Sequence, residues 1–127
     1  MRLLLADLIL IVHFAFVLFV VGGLPLIWIG AAAGWRWIRD IRFRTAHLAA
    51  ILIVSAEAVA GIWCPLTLWE DALRGVDQDQ SFIGRWIHAV LFYELPAWIF
   101  TTAYLAFAAL IALTWWQVPP RRLSARQ

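Results

Sequence analysis

The chain has no lysine, a single cysteine and few charges of either sign. One cysteine allows no intrachain disulfide, so a disulfide-stapled fold is excluded. Charged residues make up 14% of the sequence, against roughly a quarter in soluble domains. A disordered tail is excluded on the same ground, because disorder needs low hydrophobicity and high charge. All ten basic residues are arginine, against eight acidic ones, for a net charge of +2. That excess is too small and too scattered for a nucleic-acid footprint. Also missing are any CxxC or HExxH spacing, a phosphate loop, a Ser-His-Asp order, internal repeats, low-complexity stretches and linkers. What remains is 127 residues that are 65% hydrophobic, with nine tryptophans and a mean hydropathy of +0.84. These describe one integral membrane domain, residues 1–127, in contact with a lipid bilayer.

A helix needs about 20 apolar residues to cross about 30 Å of hydrocarbon. Three stretches qualify, at about 3–30, 45–63 and 96–116. The expected fold class is therefore all-α, a polytopic membrane helical bundle of three transmembrane helices. A short amphipathic outer helix and a half-helix at 82–95, before the third span, complete it. The loop after the first span holds Arg36, Arg39, Arg42 and Arg44 against Asp40, and the tail holds Arg121, Arg122 and Arg126. The 64–81 loop is acidic, with Glu70, Asp71, Asp77 and Asp79 against Arg74. Short Arg-rich loops stay cytoplasmic. The expected orientation is thus N-terminus outside and C-terminus cytoplasmic, with three crossings. Indole rings favour the headgroup boundary, and Trp28, Trp35, Trp37, Trp63, Trp98 and Trp115 fall at the span ends this model requires. The first apolar run exceeds the roughly 7–15 residues of a signal-peptide core, so it is expected to stay as an anchor.

In the outer loop, Thr67-Leu68-Trp69-Glu70 fits a capping box, and Gly75 suits a left-handed stop. Together they predict a helix from Leu68 to Arg74 lying on the outer surface with Trp69 dipping in. Within the bilayer an ionisable side chain is costly, so its position is informative. Glu57 lies about 9 Å inside Trp63, and His13 about 22 Å from Trp28. Both fall in the outer half, as do Cys64, His88 and Glu94. His47 sits at the inner end beside Arg44 and is expected to snorkel to the interface. Ala46/Ala50 and Ala56/Ala60 are small-xxx-small pairs that allow a close helix approach, which would bring Glu57 against His13. Each of these residues also has a structural reading, as interhelical hydrogen-bonder, cap or small buried hydrophobe.

Several of these elements resemble one bacterial family. They are His13-Phe14, Phe43-Arg44-Thr45-Ala46-His47-Leu48, Cys64-Pro65-Leu66-Thr67 followed by Glu70, Trp86-Ile87-His88 and Pro119-Pro120. The family is the small membrane-protein group known as domain of unknown function 2784, and Cys-Pro-Leu-Thr-x-x-Glu is the most specific part of the likeness. The resemblance implies a short helical protein of the bacterial inner membrane and supplies no substrate.

Three functions fit. His, Cys and carboxylate side chains are transition-metal ligands, so His13, Glu57, Cys64, His88 and Glu94 are candidate metal ligands. His13 and His88 are alternatively candidate axial ligands of a haem, with Glu57 orienting one of them. Either would make a redox accessory. The second function is a membrane enzyme or quinone-site protein in which Glu57 and His13 transfer protons. The third is a structural or assembly subunit, bound to a membrane-protein partner or to its own copies. The rotation of the helices discriminates: the first two need His13, Glu57 and His88 to face one interior.

Overall fold

The computed structural model describes residues 1–75, 86, 89 and 95–121. They form four helices: α1 (Arg2–Ala32), α2 (Ile41–Ala60), α3 (Pro65–Arg74) and α4 (Ala97–Gln117). α1, α2 and α4 are long and apolar enough to cross a membrane, the helix set of a multi-pass membrane protein. Of the half-helix expected at 82–95, only Trp86, Ala89 and Leu95 are among the described residues; the first two are helical.

Local chemistry sets the ends. α1 runs through Pro25 without a break, as membrane helices allow when neighbours satisfy the freed carbonyl. α2 starts four residues before the expected Thr45, because the Asp40 carboxylate accepts the Arg42 amide at 3.1 Å and caps the first turn. It stops three residues before Trp63, where Gly61 takes a left-handed φ of 69° that costs glycine little.

The buried face of α1 follows a seven-residue spacing, Ala6, His13, Val20 and Ile27, with Gly23 and Gly30 alongside. That spacing lays the stripe along one side of a helix. α2 buries Arg44, His47, Ala50, Ile51 and Ser55, and α4 buries Ala108, Ile111 and Thr114. Val20, Ala50, Ile51, Ala108 and Ile111 form one core cluster; Ile27, Ile38 and Val118 form another at the Arg-rich end. α1 packs chiefly along α3 and α2 along α4, while α1 and α2 meet over a short stretch.

That meeting is made by a glycine rather than by the alanine pairs. A Cβ on Gly23 would lie 2.5 Å from His47 Nε2, so only glycine admits the imidazole. Of the four alanines expected to line the α1 contact, Ala50 is buried, whereas Ala46, Ala56 and Ala60 are exposed. Three of the four small residues are therefore left uncovered, and only Ala50 joins the core that contains Val20 of α1. Spacing alone identifies a face but not which helix will cover it.

Candidate functional site

α3 carries the polar residues of the acidic end. Pro65 takes its first position, where the missing amide costs nothing and the fixed φ suits a helix. Cys64 stands at the N-cap, and Gly75, at a φ of 71°, ends the helix. This corrects the capping box: Thr67 lies inside the helix, and Glu70 turns instead to Arg74. Glu70 Oε1 accepts from Arg74 Nε at 3.0 Å, while Arg74 Nη2 reaches Asp7 Oδ1 of α1 at 2.7 Å. The hydrogen bonds that it donates to Asp7 and Glu70 hold the Arg74 guanidinium above its ordinary pKa.

The face that α3 buries is polar, comprising Thr67, Glu70 and Asp71, whereas Leu68 and Trp69 are exposed. Apolar residues pointing outward and polar ones packed inward invert the usual arrangement of a soluble surface helix. α3 therefore lies along α1 rather than apart from it. His13 is buried in the α1 stripe, and Phe14 beside it meets the Trp86 ring at a centroid distance of 6.4 Å.

Glu57 stands elsewhere. It is half-buried on α2 and makes no hydrogen bond or ion pair among the described residues. It flanks an exposed stripe of Ala46, Ala49, Ile53, Ala56 and Ala60, a 3–4 spacing that keeps these side chains on one face. Cys64 is half-buried and close enough to Glu57 to feel its charge. Burial pushes the Cys64 thiol above its ordinary pKa and the Glu57 carboxylate adds to this, while the Leu66 and Thr67 amides pull the other way.

Among the described residues no group of three His, Cys, Asp or Glu side chains is placed to hold a metal ion, so His13, Glu57 and Cys64 do not form such a set. His88 and Glu94 lie outside the described residues.

The Arg-rich end holds what sequence reasoning missed. His47, expected to snorkel, is fully buried. Its Nε2 lies 2.8 Å from the Val20 carbonyl, and the ring stacks on Phe43 and meets Phe19 edge-on. Arg44 is buried as well: its Nη1 donates to the Val118 carbonyl at 2.6 Å, and its guanidinium lies 5.7 Å from the Trp115 ring centroid. Donation to that carbonyl caps the C-terminal end of α4, where cations are favoured. The chain offered one signal for this, since Arg44, His47 and Ile51 share one helix face.

The family model described as Protein of Unknown function (DUF2784) matches residues 3–120. No curated protein and no solved structure matches the chain.

Proposed function

The chain belongs to the DUF2784 family, and we propose that it is a small accessory subunit of a larger assembly in the bacterial inner membrane, with its N-terminus outside and C-terminus cytoplasmic. In this reading all 127 residues act as one domain. The exposed alanine stripe of α2 takes a partner transmembrane helix, and Glu57 meets a cationic or hydrogen-bond-donating side chain on it.

The observation that carries this reading is the position of Glu57. A carboxyl within a span needs a proton, water or a partner, and beside Glu57 is a row of small side chains of the kind that lets two helices approach closely. A symmetric contact between two copies of this face would bring two Glu57 carboxyls together with no cation between them. An ionised Glu57 is matched better by a different chain that brings a cation or a donor, and that is the occupant proposed here. The competing readings have less behind them, since Glu57 makes no hydrogen bond or ion pair with His13 among the described residues. Haem or metal binding has no support among the described residues.

The test is the size of the native complex. Membranes solubilised in mild detergent should hold the protein in a species well above its own 14.5 kDa plus micelle. Glu57→Leu should release it while leaving the purified subunit folded, because that side chain bonds nothing within the described chain. A wild-type protein that migrates alone, or a complex indifferent to Glu57→Leu, contradicts the reading.

A further inference from the structure

The inference concerns the opposite end of the molecule, away from Glu57. Four arginines gather where the α1–α2 loop meets the segment after α4. Arg39 Nη1 donates to the Pro119 carbonyl at 3.4 Å, and Arg44 Nη1 to that of Val118. The Arg121 amide donates to the Arg39 carbonyl at 2.6 Å, and the Ile41 amide to the Arg121 carbonyl at 3.2 Å. Arg42 supplies the amide that Asp40 caps. Main-chain hydrogen bonds thus pair Arg39 with Arg121, the Arg44 side chain ties to the same segment at Val118, and Arg39 is near enough for its charge to bear on Arg44. Asp40 is the only carboxylate in this stretch, and the only hydrogen bond its side chain makes among the described residues is to the Arg42 amide.

Two buried donors in this cluster lack an acceptor. Arg44 is 1% exposed, yet its Nη2 has no hydrogen-bond partner among the described residues. Trp115 Nε1, on the ring beside it, has none either. A buried charged donor left unmatched is expensive. The buried Arg44 charge, with the cations of Arg39 and Arg121 in front of it, makes this rim a place that favours an anion.

We infer that Arg39, Arg44 and Arg121 form a binding site for the phosphate of an anionic phospholipid headgroup. The site lies at the end of three membrane-crossing helices, where headgroups are the abundant phosphates. Basic pockets between transmembrane helices suit such headgroups. Trp35 and Trp37, stacked at 6.1 Å beside the cluster, are side chains that prefer this boundary. Arg39 and Arg121 form the accessible rim, and Arg44 is the fixed charge behind it.

The experiment is native mass spectrometry of the full-length protein released from detergent. It is equilibrated with phosphatidylglycerol or with phosphatidylcholine of the same acyl chains. The wild type should retain phosphatidylglycerol roughly tenfold more than phosphatidylcholine, and Arg39→Gln with Arg121→Gln should bring the ratio close to one. Both changes are at the rim, so the fold should persist; the thermal unfolding midpoint checks this. Arg74→Gln and Glu57→Leu should leave the preference intact, which separates this site from the partner-binding face. Equal retention of the two lipids by the wild type overturns the inference, as does a preference that survives in the double variant. Inorganic phosphate that raises the unfolding midpoint as much as phosphatidylglycerol does overturns the lipid as its source.

Discussion

The two ends of the molecule handle charge in different ways. At the acidic end, side chains of opposite sign meet one another: Arg74 lies between Asp7 of α1 and Glu70 of its own helix. At the Arg-rich end, the guanidinium groups of Arg39 and Arg44 meet carbonyls, and that of Arg44 also meets an indole ring. Opposite charges can come apart and hydrate separately, so the acidic end is built to yield. A guanidinium buried on the end of a neighbouring helix cannot leave without exposing that helix's last carbonyls, so the Arg-rich end is built to stay. The contrast predicts that α3 yields before the α1–α2–α4 junction does.

The strongest way to break this contrast is at the junction. Gly23→Ala should destabilise the protein by about 1–3 kcal/mol, as overpacking does, because the new methyl meets His47. Gly22→Ala, whose Cβ would find only Leu18 at 3.8 Å, should be neutral or slightly stabilising, given the helix propensity of alanine. Adding His47→Ala should remove most of the Gly23→Ala penalty. Thermal unfolding of the wild type, Gly23→Ala, His47→Ala and the double variant gives the coupling directly, and additive effects would show that the imidazole does not set the helix approach.

Much of the fold was legible because its signals are long. Three apolar runs require no knowledge of contacts. Gly75 was equally readable as a stop, since a left-handed residue after a helix is a local demand. The start of α3 was misread because two local rules competed. Thr67 and Glu70 satisfy the capping-box pattern, yet Pro65 favours the first helical position, and its ring starts the helix ahead of them. His47 was misread because depth along a span says nothing about rotation. Its place depends on Gly23, which is distant in the chain and silent in hydropathy. Glu57 was singled out as costly, and among the described residues it makes no hydrogen bond or ion pair with its expected partner His13.

A smaller effect sharpens the comparison at Cys64. Its thiol is held above the ordinary value, chiefly by burial. A raised folded-state pKa means that the neutral thiol's contribution to stability is present below the ordinary value, near 8.5. That contribution is lost as pH rises through the raised one. Alkylation at pH 8 should accordingly be several-fold slower than for a cysteine in a short peptide, and Glu57→Gln should speed it by lessening the thiol's penalty. Alkylation rates measured across pH 7–10 test both statements; a peptide-like rate would contradict them.

The smallest effect is expected at the acidic end. Asp7→Asn removes one of Arg74's two carboxylates, and exposed ion pairs contribute little to global stability. The unfolding midpoint should hardly move, while the amides of α3 exchange faster with solvent. High salt should do the same to the wild type, because such pairs are screened. Unchanged exchange in α3 would show that its buried polar face, rather than the Arg74 bridge, holds it to α1.

The central claim is that α2 presents a partner-binding face at Glu57, and site-directed photo-crosslinking in native membranes tests it most directly. A photoreactive side chain at Ala49 or Ala56 should yield one discrete protein adduct. The same group at exposed Leu113 of α4 should yield lipid adducts alone. Glu57→Leu should abolish the protein adduct and leave the lipid ones. Lipid adducts from both faces, or a protein adduct that persists without the carboxylate, would contradict the account.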